Sequence, residues 1–304
     1  MWTQDRAYTD LMRELWGSPA RWNTKKTYSD IARKLGVDED TVRNRLRHLK
    51  ESGFLTGWRV VPNPSLFQSE STLLLLQFPN QELKERAIPQ VTSMDGVIIV
   101  ANIYGNSLLV TLFDDQEKIR SQKVSRAVGK GKVFSISGMH FPKTAFRMTV
   151  TDWQIIKLML HDAEKNIHKV AKEIAISSRT VKRRLDQMME ASAIFIMPMI
   201  NQSKSGGVAC HLMVEALSSD SIDLRALVAS KVENLVFSGH YGESGMIFGF
   251  YSNNVAQGAE ILSWIKAQKG IRAARMRIIQ DVLYCFDWLE KELEGAFRLA
   301  DIPK

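Results

Sequence analysis

Apolar residues recur along this chain in two rhythms. In some stretches they fall every third or fourth residue, the mark of a helix with one buried face. Leu11, Met12, Leu15 and Trp16 do so, as do Trp153, Ile156, Met159 and Leu160. Ile31 with Leu35 and Val170 with Ile174 predict two short helices. Val42, Leu46 and Leu49, and again Val181, Leu185 and Met188, predict two longer ones. Elsewhere the apolar residues come in short dense runs of strand length: 71–78, 97–104, 107–113 and 132–140, then 208–216, 235–241, 246–251 and 274–284. Helical stretches separate several of these runs, at 221–232 and 256–269, and an amphipathic stretch at 288–299 predicts a C-terminal helix.

The two sets of elements are related. Residues 28–55 align without a gap on residues 167–194, with Ala32/Ala171, Thr41/Thr180, Val42/Val181, Arg45/Arg184, Leu46/Leu185 and Glu51/Glu190 identical. Each copy is followed by strand–helix–strand–strand–helix–strand, with Tyr104-Gly105 and Tyr241-Gly242 at the same inner turn. A fixed-offset repeat of this kind indicates tandem units. The expected domains are 1–68, 69–145, 146–204 and 205–304, of which the first and third are helical and the second and fourth are βαββαβ.

Each helical unit reads as helix, short helix, turn, helix. Thr9 and Thr151 suit N-caps of the first helix, and Asp38 and Ser177 suit N-caps of the third. Gly36 and Ala175 fill the turn. The third helices, 38–50 and 177–189, offer Arg43, Asn44, Arg45, Arg47 and His48 in one copy and Arg179, Lys182, Arg183 and Arg184 in the other. Such a helix enters a DNA major groove, where Arg binds guanine edges and Asn binds adenine, while neighbouring cations hold phosphates. Thr56-Gly57-Trp58-Arg59 reads as a wing that adds Arg59 to the DNA contacts; Phe195-Ile196-Met197-Pro198-Met199 is its apolar counterpart. Asp38-Glu39-Asp40 opens the first of these helices with charges that repel phosphate.

Charge sharpens this picture. The chain has 304 residues, 41 basic and 33 acidic. Residues 21–59 hold ten basic and five acidic residues, and 165–190 hold seven and three. The remainder has 24 basic and 25 acidic, so the net charge of +8 belongs to the two helical units. That is the footprint expected of a protein that binds double-stranded DNA.

Thr41-Val42-Arg43-Asn44-Arg45-Leu46-Arg47-His48-Leu49-Lys50-Glu51-Ser52-Gly53-Phe54-Leu55, followed by Val61-Pro62-Asn63-Pro64, resembles the signature of the Lrp/AsnC (leucine-responsive, feast/famine) family of prokaryotic transcription regulators. Gly105-Asn106-Ser107 resembles that family's glycine turn, and Gly242-Glu243-Ser244 stands at the equivalent place. The resemblance implies an α+β fold, two winged helix-turn-helix domains each followed by a ferredoxin-like βαββαβ (RAM-type) domain. It further implies an intramolecular pseudo-dimer with the two sheets packed face to face, and a small-molecule effector such as an amino acid near Gly105, Asn106, Gly242 and Glu243. Further homo-oligomerisation is left open. The acidic residue that often follows the family's turn glycine is absent at Asn106 and Ser107.

Other chemistry is sparse. No apolar run is long enough to span a bilayer, no signal-peptide core opens the chain, and two cysteines without paired spacing fit a reducing cytoplasm. The six histidines (48, 140, 161, 168, 211 and 240) form no ligand motif, so neither metal nor cofactor is expected. Gly129-Lys130-Gly131-Lys132 reads as a basic turn rather than a phosphate loop, and Met188, Met189, Met197 and Met199 as core filling. The reading is therefore a regulator rather than an enzyme. One enzymatic alternative shares the fold: a sirohaem decarboxylase, whose His and Arg would line a tetrapyrrole pocket between the βαββαβ units. Residues 97–113 of the first unit contain neither residue type. A further alternative is a protein-interaction adaptor with vestigial DNA heads.

Overall fold

The computed structural model describes residues 5–16, 27–114, 124–126, 128–137, 141–219, 221–241 and 243–300. His140, Gly242 and the basic residues Arg21, Lys25 and Lys26 lie outside them. The first half contains α1 (Arg6–Trp16), α2 (Tyr28–Leu35), α3 (Glu39–Glu51), β1 (Leu55–Pro62), β2 (Glu70–Gln77), α4 (Gln81–Thr92), β3 (Val97–Ile103), β4 (Ser107–Asp114) and β5 (Lys132–Ser137). The second contains α5 (Val150–Met159), α6 (Ile167–Glu173), α7 (Ser178–Glu190), β6 (Ile194–Ile200), β7 (Val208–Ala216), α8 (Leu224–Lys231), β8 (Leu235–Tyr241), β9 (Gly245–Ser252), α9 (Val255–Lys266), β10 (Ile271–Tyr284) and α10 (Asp287–Ala300).

Local chemistry sets the helix ends. Thr27 and Asp30 form a capping box that starts α2, and Gly36, at φ +66, ends it. Asp38 and Ser177 cap α3 and α7 as expected. Two expected caps are corrected. Thr9 is buried inside α1, which starts earlier, and α5 is capped by Thr149 rather than Thr151, because Thr149 shares a capping box with Asp152.

Eight strands form one antiparallel sheet in the order β5-β2-β4-β3-β10-β7-β9-β8. The halves join edge to edge, with Val282 opposite Ala101, and the Cys285 N–H donating to the Ile98 carbonyl at 2.8 Å. This seam adds an edge-to-edge join to the expected pairing of the two sheets by their faces. The sheet curls until its edge strands β5 and β8 approach each other. One face carries the helices: Leu74, Leu76 and Val100 join α4, while Cys210, Leu212 and Val214 join α8 and α9. The other face brings Leu73, Leu75, Leu109, Ala209, Met213, Ile247 and Tyr251 into one core.

Residues 56–59, expected as the wing of the first unit, lie within β1. β1 pairs along its length with β6, Trp58 opposite Pro198 and Val60 opposite Ile196, in a two-stranded ribbon between the helical units. One edge of β1 is taken up by that pairing, and Met197 and Met199 are buried, as is Met188. The heads sit crosswise. α1 packs on β8 of the second half, where Arg13 Nε donates to the Leu235 carbonyl at 2.8 Å. Trp153 and Ile156 of α5 share a core with Ile98 and Phe113 of the first half, and α5 also packs on α10, whose Leu289 and Leu293 are fully buried.

Candidate nucleic-acid interface

The second head is built around a buried ion pair. Asp152, on α5, has no exposed surface. It accepts from the Thr149 N–H at 2.8 Å, the Thr149 hydroxyl at 2.7 Å and Arg184 Nε at 2.6 Å. Arg184 also lies over the Phe146 ring, 5.6 Å from its centre. The carboxylate holds the Arg184 guanidinium above its ordinary pKa. This locks α7 against α5. At the turn, Ala175 takes φ +55, and the Ile176 N–H closes on the Ala171 carbonyl at 3.0 Å. Ser178 Oγ meets His168 Nδ1 at 2.8 Å, tying α7 to α6. Val181, Leu185 and Met188 then point inward.

The opposite side of α7 presents Arg179, Lys182 and Arg183, all exposed. Their spacing places them on one helix face. None has an ion-pair or hydrogen-bond partner among the described residues. Three exposed cations with no partner among the described residues can meet a polyanion without first breaking internal bonds.

The first head differs. Asp38 caps α3 by accepting from the Thr41 N–H at 2.6 Å and its hydroxyl at 2.7 Å. These bonds hold the Asp38 carboxyl below its usual range. Arg43 pairs with Glu39 and lies over the Tyr28 ring at 4.7 Å; Arg47 bonds Asn44; His48 Nδ1 meets Tyr8 Oη at 2.8 Å. Lys50 bonds Glu164 of the second head at 2.8 Å.

Three of the expected DNA contacts point elsewhere. Arg184 is spent on Asp152. Arg45, its counterpart, is half-buried and reaches the Ala7 carbonyl at 3.5 Å. Arg59 lies over the Phe286 ring at 5.4 Å with Nη1 buried, and burial lowers its pKa. All three serve the interior of the protein. The expected effector residues are not brought together. Gly105, at φ +87, turns β3 into β4 beside Ile278, where the Tyr104 N–H donates to the Ile278 carbonyl at 3.0 Å; Asn106 Nδ2 donates to the Phe78 carbonyl. Glu243 is exposed at the β8–β9 turn, with β10 and β7 between the two turns. Gly242 lies outside the described residues.

A second cluster lies on the sheet's inner face, in the second half, where register rather than sequence spacing brings His211 beside an arginine. His211 on β7 alternates with Ala209 and Met213 and therefore shares their face, and Arg277 on β10 stands opposite it in register. Arg277 Nε is buried with no hydrogen-bond partner among the described residues. On its other side His211 faces Gly249. Burial, reinforced by Arg277, pushes the His211 imidazole down from 6.5 to about 4. The unfolded chain thus binds the extra proton first. Stability is expected to fall as pH drops from about 6.5 towards 4, and urea midpoints of His211→Gln should lack that part of the slope. Burial raises the Cys210 thiol to about 11 and the Cys285 thiol to about 12, so neither is a reactive thiolate at neutral pH. Among the described residues, no group of three His, Cys, Asp or Glu is placed to hold a metal, and no helix is long and apolar enough to cross a membrane.

Comparison with known proteins bears on the second head directly: residues 148–194 match the family described as winged helix-turn-helix DNA-binding. That segment is a winged helix-turn-helix. The chain is similar to the HTH-type transcriptional regulator Ptr1 of Methanocaldococcus jannaschii, at 26% identity over 117 residues, 38% of this chain and 76% of that protein. Its fold is similar to that of siroheme decarboxylase NirDL, with a TM-score of 0.59 and 14% identity, covering 97% of this chain and 100% of the other. NirDL in complex with an iron-uroporphyrin III analogue gives 0.56 and 15%, covering 96% and 99%. E. coli AsnC overlays 45% of this chain and 94% of its own, with a TM-score of 0.35 and 16% identity. The fold is α+β, with winged helix-turn-helix units attached to ferredoxin-like antiparallel sheet.

Proposed function

We propose that this protein is a DNA-binding transcription regulator of the Lrp/AsnC type, built from two tandem copies of a head-plus-sheet module within the boundaries read from the sequence. The observation that carries the reading is the exposed Arg179, Lys182 and Arg183 face of α7, without partners among the described residues, in the segment that matches the winged helix-turn-helix family. The similarity to Ptr1 supports it. The β1–β6 ribbon and the β3–β10 seam support the reading of an internal pseudo-dimer, in which one polypeptide replaces a dimer of single modules. An effector bound to the sheets would act on head spacing, because both heads rest on them. Titration of fluorescent duplex DNA tests this. Arg183→Glu is expected to lower affinity at least about 10-fold at low salt, and Arg59→Gln to leave it within about 2-fold. Equal affinities for wild type and Arg183→Glu would refute the assignment.

One observation favours a second reading, an enzyme acting on a tetrapyrrole. The sequence disfavoured it because the first unit lacks His and Arg on its central strands, yet the second unit supplies the His211–Arg277 pair on the inner face, and the chain shares the NirDL fold along its length. In such a site Arg277 would hold a carboxylate and His211 would face the ring. Adding iron-uroporphyrin to the purified protein discriminates between the readings. The regulator predicts no saturable shift in visible absorbance. A shift that Arg277→Ala abolishes would favour the enzyme.

A further inference from the structure

The two heads present opposite electrostatics at the end of the helix that enters a groove. Between residues 38 and 44 there are three acidic residues and one basic; between 177 and 183 there are three basic and none acidic. A helix N-terminus attracts phosphate through its unsatisfied N–H groups and its dipole. In α3 the cap is itself an anion, the Asp38 carboxylate, which takes the Thr41 N–H and hydroxyl. The uncharged Ser177 hydroxyl caps α7 instead. The cations differ in the same sense. Arg43 is spent on Glu39 and Arg47 on Asn44, while Arg179, Lys182 and Arg183 have no partner among the described residues.

The first head also holds the second. Lys50, at the end of α3, bonds Glu164 in the loop between α5 and α6, and the adjacent Ala163 N–H donates to the Trp58 carbonyl of β1 at 2.9 Å. These contacts grip the second head at the corner joining α5 to α6, and α7 stays exposed beyond the α6–α7 turn.

We propose that the chain reads DNA through the second head alone, with Arg179, Lys182 and Arg183 as its contacts, and that the first head is a bracket fixing that head to the sheet. This rests on the DNA-binding reading above and replaces the expectation that both recognition helices bind. Each cation that meets a phosphate steepens the salt dependence of binding by about one unit, so the two heads can be weighed separately. A duplex of about 40 base pairs, selected from a random pool by the wild-type chain, leaves room for two half-sites one helical turn apart.

Arg179→Ala/Lys182→Ala/Arg183→Ala is expected to lower affinity at least about 100-fold and to flatten the salt slope by about two to three units. Arg43→Ala/Arg47→Ala should leave both within about 2-fold and half a unit. Hydroxyl-radical footprinting should show one protected tract. Replacing the acidic opening of α3, as Asp38→Ser/Glu39→Ser/Asp40→Arg, should add a second. Circular dichroism checks that each variant is folded. Two protected tracts on the wild type, or a loss above about 10-fold in the Arg43/Arg47 variant, overturns the proposal. Absence of any salt-dependent binding by the wild type overturns the DNA-binding reading itself, and this proposal with it.

Discussion

Asp152→Ala is expected to lower the stability of the protein by about 3–5 kcal/mol, read from the urea midpoint at neutral pH. The size follows from what the substitution strands. Asp152 is fully buried and Arg184 only 19% exposed, so removing the carboxylate leaves a largely desolvated guanidinium without its counter-ion. The same change strips α5 of its capping box, since Asp152 also accepts from the Thr149 N–H and hydroxyl. A double variant, Asp152→Ala/Arg184→Leu, should recover part of the loss, because replacing both partners leaves no unpaired charge. If the single variant lost less than about 1 kcal/mol, the pair would not be the strut that orients α7.

Phe54→Ala is expected to cost a similar amount, about 3–5 kcal/mol, by emptying a fully buried aromatic site. Phe54 lies where the first head meets the sheet: its ring stands edge-on to Tyr251, 6.2 Å between centres, and its carbonyl accepts from the Asn201 N–H at 2.8 Å. The core it joins runs from Leu11 and Leu49 of the head to Leu73 and Ile247 of the sheet. Loss of the ring should therefore loosen the head as well as lower the midpoint, and hydrogen exchange in α1 should accelerate. Tyr104→Ala, at a side chain 65% exposed, is the control and should shift stability by less than about 0.5 kcal/mol.

The heads were legible in the sequence because their cores obey a helical period that two copies repeat. The same period, applied strictly, identifies the structural arginines. Arg184 lies three residues after Val181 and four before Met188, and Arg45 stands likewise between Val42 and Leu49. Both therefore belong to the inward side of their helices, and grouping them with the outward cations overlooked that angle. The ribbon was harder to see. Thr56-Gly57-Trp58-Arg59 has the composition of a wing, and its partner strand lies more than a hundred residues away with no local mark of pairing. The β3–β10 seam was hidden for the same reason, since edges that meet across the chain leave no periodic signal. His211 lies in a largely apolar strand, and Arg277 is one of three arginines on β10, with Arg272 and Arg275. Only the register, which sets them side by side, turns them into a cluster.

The central claim is that the cations of α7 bind duplex DNA. Titrating the wild-type chain and Arg183→Glu with a fluorescent duplex at about 50 and 200 mM salt tests it most directly. Binding that weakens steeply with salt in the wild type, together with a loss of at least about 10-fold in the variant, is the predicted result. Binding that is unaffected by either salt or the substitution would contradict it.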